Sequence, residues 1–124
     1  MILADTSILI DFWKNPTKEK ESIFKENEIA TCGVIFTELL RGSKNPKESE
    51  KLKNALDCFE YLTFEKQDWL EVACLFAKLK KSGLSIPFQD GIIAYLAIKN
   101  DCQLWTLDNH FKLIQTLIPV LKLF

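Results

Sequence analysis

The chain has 124 residues, 48% of them hydrophobic and 27% charged, with 16 basic residues set against 17 acidic ones for a net charge of −1. This is the size of one domain, residues 1–124, whose core needs neither disulfides nor a structural metal. The apolar fraction excludes a disordered chain, and the charge balance excludes a broadly basic nucleic-acid binder, so any polyanion has to be held locally.

The four cysteines, Cys32, Cys58, Cys74 and Cys102, are scattered with no Cys-x-x-Cys pair, and His110 is the sole histidine, which excludes a zinc finger or ribbon. Each cysteine has apolar neighbours and is expected to be a buried free thiol, as suits a reducing compartment. No apolar run approaches the roughly 20 residues of a membrane span, and Met1 leads into Ile2, Leu3 and Ala4 without a basic leader. The expectation is a soluble, cytoplasmic protein without a membrane.

In chain order, short apolar runs alternate with segments of helical period, the pattern of an α/β fold with a central, mostly parallel sheet of four to five strands. Ile2 to Ala4 form a strand. Asp5 or Thr6 caps a helix carrying Ile8, Leu9 and Phe12 that ends near Pro16. Thr17 to Glu28 form a charged helix held by Ile23 and Phe24. Ile29 to Cys32 form a second strand, and Gly33 opens a helix with Ile35, Phe36, Leu39 and Leu40 that stops at Gly42. Pro46 to Phe59 form a helix and Tyr61 to Phe64 a third strand. Glu65 to Ser82 form the longest helix, ended by Gly83. A loop, 84–88, delivers Gln89 and Asp90 to a helix running to Asn100. Gln103 to Thr106, Asn109 to Leu117 and Pro119 to Leu123 complete the chain as strand, helix and strand.

Most acids lie among lysines on polar faces, and four do not. Asp5 and Asp108 each follow an apolar strand, which sets them at the carboxyl end of a parallel sheet, where open α/β folds hold their ligands. Glu38 lies four residues after Val34 and three after Ile35, on the apolar side of its helix. Asp90 is followed by Ile93, Ala94, Ala97 and Ile98 at i+3, i+4, i+7 and i+8, so its carboxylate heads a buried stripe. A buried, unpaired carboxylate either becomes neutral or demands a cation. With so few nitrogen and sulfur donors the cation is a hard one, Mg²⁺ or Mn²⁺, and the chemistry it favours is phosphodiester hydrolysis. Plainer readings stand beside this one: Asp5 and Asp90 as helix caps, Asp108 as a turn residue with Asn109, and Glu38 as an ordinary structural side chain. Asp11, Asp57, Asp68 and Asp101 are assigned none of the chemistry.

Taken together, Leu3-Ala4-Asp5-Thr6-Ser7, Thr37-Glu38-Leu39-Leu40-Arg41-Gly42, Asp90-Gly91-Ile92-Ile93-Ala94 and Thr106-Leu107-Asp108-Asn109-His110-Phe111 resemble the PIN-domain nucleases, and within them the VapC-type toxins of toxin–antitoxin pairs. The resemblance covers essentially the whole chain. It implies a single PIN-like α/β/α domain and a metal-dependent endoribonuclease in which Asp5, Glu38, Asp90 and Asp108 bind Mg²⁺ (or Mn²⁺), activate water and cut an RNA substrate. Thr6 and Thr106 match hydroxyl positions that support the acids, with a cap and a β-branched strand residue as their plainer roles. His110 stands where many relatives carry a further acid, so a fifth carboxylate is missing. The resemblance also implies a VapB-type antitoxin partner, docked by apolar residues in a groove near the helix from Gly33 to Arg41 and reaching the acids with a basic side chain. A homodimer is expected through Phe12, Trp13, Phe24 and Phe36.

Arg41, the single arginine, follows Glu38 by three and either meets a phosphate at the rim or pairs with a nearby acid. Lys44, Lys47, Lys51 and Lys53, with Lys78, Lys80 and Lys81, either gather local positive charge or are simply solvated. A receiver-like signalling domain requires adjacent acids after the first strand and an Asp after the third, and this chain has neither. A phosphatase beginning Asp-x-Asp fails at Ser7. The remaining alternative is a catalytically silent PIN-like module that binds RNA or a partner.

Overall fold

The computed structural model describes residues 1–124. Its elements run β1 (Ile2–Ala4), α1 (Thr6–Lys14), α2 (Lys18–Glu26), β2 (Ile29–Cys32), α3 (Gly33–Arg41), α4 (Pro46–Leu56), β3 (Glu60–Leu62), α5 (Lys66–Lys81), α6 (Phe88–Lys99), β4 (Gln103–Trp105), α7 (His110–Leu117) and β5 (Lys122–Leu123). The five strands are all parallel, in the order β3-β2-β1-β4-β5. Parallel neighbours require crossovers, and here helices supply every one, giving an α/β/α domain. β1 and β2 are buried at every position, as the continuous apolar runs of central parallel strands demand, whereas β3 at the edge buries only Leu62.

Four of the crossover helices bury a pair of apolar residues, three, four or seven apart on α7 (Phe111, Ile114), α3 (Ile35, Leu39) and α5 (Val72, Leu79) and adjacent on α1 (Ile8, Leu9), whereas α2 buries none. Phe111 is fully enclosed; a side chain of this size contributes about 1.5–3 kcal/mol by leaving water. α6 differs, because every residue from Asp90 to Ala97 is buried. It is enclosed all round, and the room is made by Gly91: a Cβ there would stand 2.1 Å from Cζ of Phe76, whose ring covers the position.

Several boundaries differ from the sequence reading for local reasons. The third strand is Glu60–Leu62, since only these residues find partners on β2. The last strand is confined to Lys122–Leu123, because the chain from Ile118 first makes a turn closed by Leu121 N–H on the Ile118 carbonyl. α2 is shorter than expected, capped by the Thr17 hydroxyl on Lys20 N–H at its start and ended at Glu26. Gly83 does terminate the long helix, at φ +85°, with Leu84 N–H returning to the Leu79 carbonyl.

Two expectations about side chains are corrected. Only Cys32 and Cys102 are buried; Cys58 lies in the turn after α4 and Cys74 on the outer face of α5, two residues from the inward Val72. Phe12 and Phe24 are not surplus to the core, since their rings meet at 4.5 Å and Phe24 packs on Trp105 at 5.2 Å and Phe59 at 6.1 Å. Phe36 is likewise partly buried against the core. They pack against the side of the sheet and remain partly exposed, with Trp13 exposed beside them.

Candidate active site

The strand order reverses direction at β1, whose neighbours are β2 on one side and β4 on the other. A crevice opens at the carboxyl ends of strands beside such a point. Asp5 leaves β1 there, and Asp108 follows β4 three residues beyond Trp105. Glu38 approaches from α3 and Asp90 from the first turn of α6.

Asp5 is buried and both of its oxygens are held. Oδ1 accepts Thr6 N–H at 2.8 Å, which caps α1, while Oδ2 accepts the Thr106 hydroxyl at 2.7 Å and the Ser7 hydroxyl at 3.2 Å. Cap and site residue are therefore the same group. Thr106 Oγ1 also accepts Asp108 N–H at 3.0 Å, and Ser7 Oγ accepts Leu107 N–H at 3.0 Å, so these hydroxyls tie the β4 loop to the start of α1. Ser7 was given no role from sequence, and its only advance signal was its place two residues after Asp5 in the first helical turn. The Thr6 hydroxyl is buried and closes no hydrogen bond of good geometry. It lies near enough to Glu38 to favour that residue's ionised form.

Asp90 is buried but is not the cap of its helix, which begins at Phe88 after Pro87; the carboxylate makes no cap hydrogen bond. Burial pushes its pKa up, and the charges of Asp108 and Asp5 push it further, against a lowering by His110. Glu38, half-buried, is also raised, first by desolvation and then by Asp5, with Asp90 adding to it and Arg41 opposing. Each of these two acids thus feels two other members of the set. The four carboxylates are gathered closely enough to repel one another, in a crevice where desolvation already disfavours charge.

Asp108 is half-buried, and its Oδ1 accepts His110 N–H at 2.9 Å, so its turn role is real and leaves Oδ2 unengaged. The His110 ring stands over the same place, with Nδ1 at 3.3 Å from Asp108 Oδ1 and 3.5 Å from Asp90 Oδ2. One donor atom from each of Asp90, Asp108 and His110 lies within 4.8 Å of the other two.

Beside the acids the open crevice is lined by Gly33, Val34, Thr37, Glu38, Arg41 and Gln89, with a volume of about 350 Å³. Arg41 is exposed and forms no ion pair, so the expectation that it pairs with a neighbouring acid is not met. A groove of about 440 Å³ runs between α1, α3 and α4, with Ile10, Trp13, Leu39 and Leu52 among its lining residues and Glu38 at its end. Among the lysines considered from sequence, Lys53 is paired with Asp57, and Lys44 borders the groove. Asp68, set aside from sequence, is fully buried: it accepts from Glu65 N–H, from the Tyr95 hydroxyl and from Lys99, joining the start of α5 to α6.

A parallel α/β/α sheet with carboxylates clustered at its switch point places an acidic crevice where open α/β folds hold their ligands, and this arrangement fits the PIN-type nucleases. The chain matches the PIN domain over residues 2–117 and belongs to that family. It is similar to Ribonuclease VapC1 of Methanocaldococcus jannaschii, with 30% identity over 112 residues, 90% of this chain and 79% of that protein. Its fold superposes with a TM-score of 0.82 on a chain of VapBC2 from Rickettsia felis, solved bound to a DNA fragment from its promoter, at 27% identity over 100% of this chain and 98% of that one. VapBC-1 of nontypeable Haemophilus influenzae gives a TM-score of 0.81 at 23% identity, over 100% and 97% of the two chains, and shows the same fold.

Proposed function

We propose that this protein is a metal-dependent endoribonuclease, the toxin of a toxin–antitoxin pair, and that Asp5, Glu38, Asp90 and Asp108 hold Mg²⁺ or Mn²⁺. The observation that carries the reading is the acid-lined crevice, in which an oxygen of Asp90 and one of Asp108 lie within 4.8 Å of each other and in which burial and neighbouring acids raise both Glu38 and Asp90. Such a set is poorly suited to stand alone and well suited to a divalent cation, because its donors are oxygens on rigid elements that converge on one crevice. The ribonuclease activity named for the archaeal relative supplies the reaction class.

A bound divalent cation supplies positive charge for phosphate oxygens and lowers the pKa of water. The chain's own groups do the rest. Asp5 is locked by Thr6 N–H, Ser7 and Thr106, so it stays oriented. Glu38, half-buried at the crevice and made more basic than an ordinary carboxylate by desolvation and by Asp5, is the group suited to accept a proton from the attacking water at its carboxylate. Arg41, unpaired at the crevice rim, meets a phosphate of the RNA backbone. Loss of RNA cleavage in Asp5→Asn and Asp90→Asn, with the fold retained, tests the reading.

The partner is a small antitoxin, as in the VapBC complexes. Its apolar residues occupy the groove of Ile10, Trp13, Leu39 and Leu52, and a basic side chain enters at Glu38. The site of action is the cytoplasm, where the four free thiols of the chain remain reduced. A homodimer also belongs to this reading, on a different surface from that expected: Tyr61, Trp69 and Phe88 are each at least half exposed, with Trp69 and Phe88 stacked at 6.2 Å.

A further inference from the structure

We propose that His110 is a nitrogen donor to the cation held at Asp90 and Asp108, and that it sets the preference of the site for a transition-metal ion such as Mn²⁺ over Mg²⁺. The inference rests on the crevice being a cation site and specifies which cation.

Three observations carry it. The first is spacing: Nδ1 stands 3.3 Å from Asp108 Oδ1 and 3.5 Å from Asp90 Oδ2. Neighbouring ligands of a six-coordinate ion at about 2.1–2.2 Å are about 3 Å apart, so a small inward movement of the three groups gives one face of such a site. The second is orientation. His110 N–H is bonded to Asp108 Oδ1 at 2.9 Å, which folds the turn so that the imidazole of the next-but-one residue swings over the acids. The third is that Nε2 has no protein partner while the side chain is 56% exposed, so when a cation enters, the ring proton can sit on Nε2 in water and free the Nδ1 lone pair, which already points at the carboxylates, for the metal.

An all-oxygen set suits Mg²⁺, which is reluctant to exchange its oxygens, whereas imidazole suits transition metals. Replacing one oxygen ligand by Nδ1 therefore penalises Mg²⁺ more than Mn²⁺. The sequence position at which many relatives of the resembled family carry an acid is here the position that tunes the metal.

The test uses Mn²⁺ and Mg²⁺ alone, on the intact protein, without RNA. Because His110 is the sole histidine, nitrogen modulation of bound Mn²⁺ in pulsed electron paramagnetic resonance identifies its ring directly. The wild type is expected to show that modulation, His110→Ala to lose it, and His110→Asp to lower the Mn²⁺/Mg²⁺ affinity ratio about tenfold in calorimetry. The ring is largely exposed, so both variants should fold, and circular dichroism checks this. Bound Mn²⁺ without nitrogen modulation, or an unchanged ratio in His110→Asp, overturns the proposal. RNA cleavage with an all-oxygen Mn²⁺ signature would sink it and leave the nuclease reading standing. A nitrogen signature without any RNA cleavage would do the reverse.

Discussion

Thr106 donates its hydroxyl to Asp5 Oδ2 at 2.7 Å and accepts Asp108 N–H at 3.0 Å, so one side chain orients the carboxylate at the end of β1 and the loop that carries the next one. Two acids 103 positions apart in sequence are thereby bridged by one hydroxyl, with the Ser7 hydroxyl as a second tie between Asp5 and the same loop. Thr106→Val keeps the shape and removes both bonds, together with the longer contact to the Ser7 hydroxyl at 3.3 Å. Stability should fall by about 1–2 kcal/mol, and RNA cleavage should fall by more than that loss explains, while Thr106→Ser retains most of both. Chemical denaturation and cleavage rates of the two variants check this; equal activity in Thr106→Val would show that Asp5 needs no such support.

Glu38 and Asp90 have raised pKa values in the folded protein, so they bind protons more readily folded than unfolded. The sign follows from linkage: without a divalent cation, stability decreases as pH rises from the ordinary carboxylate range through the raised values. Asp90→Asn removes part of that repulsion. At neutral pH, with chelator present, its Tm should exceed that of the wild type by a few degrees, and its Tm should vary less with pH. Adding Mg²⁺ or Mn²⁺ should raise the wild-type Tm and close most of the gap. A lower Tm for Asp90→Asn under chelator would mean that the carboxylates do not strain the fold.

The acidic crevice was legible because each of its acids sits where a local pattern makes it conspicuous: Asp5 and Asp108 after apolar strands, Glu38 and Asp90 on apolar helix faces. The all-helical crossovers and the parallel sheet followed from the same alternation. Asp68 was not legible, since the groups that hold it from α6 are Tyr95 and Lys99, 27 and 31 residues away. Gly91 was equally silent, because its meaning depends on the ring of Phe76 lying against it. Composition alone also misjudged Phe12 and Phe24, whose mutual packing is a property of the folded α1 and α2.

Asp68 is held well below the usual carboxylate range, to about 2, first by the hydrogen bond from Lys99 and then by Tyr95 and the Glu65 backbone. Its folded value is depressed, so its contribution is present above the ordinary carboxylate pKa and is lost as pH falls from about 4 towards 2. Asp68→Asn should lower Tm at neutral pH by several degrees and flatten the acid limb of the stability curve. Tyr95→Phe should produce a smaller decrease. If Asp68→Asn unfolds at the same pH as the wild type, this brace does not contribute to acid stability.

The surface of Tyr61, Trp69 and Phe88 is predicted to join two copies of the chain. Light scattering at micromolar concentration should give twice the chain mass for the wild type and the single mass for Trp69→Ser. A monomeric wild type would remove the dimer from the account.

Inhibition by the antitoxin should depend on both halves of the groove site. Trp13→Ser should weaken binding of an antitoxin tail peptide by about tenfold or more, as for a buried aromatic anchor. Neutralising the peptide's basic residue should weaken inhibition more than binding. If a peptide lacking its Arg or Lys inhibits equally well, steric cover of the groove is the better explanation.

The central claim is that the gathered acids hold a divalent cation on which RNA cleavage depends. The most direct measurement is cleavage of total RNA by the purified wild type, Asp5→Asn and Asp90→Asn, each with Mg²⁺, with Mn²⁺ and with EDTA. The account predicts cleavage by the wild type with a cation, its loss in EDTA and its recovery on adding the cation back, and at least a hundredfold lower rates in both variants, whose circular dichroism is unchanged. Cleavage that persists in EDTA, or at full rate in both variants, would contradict it.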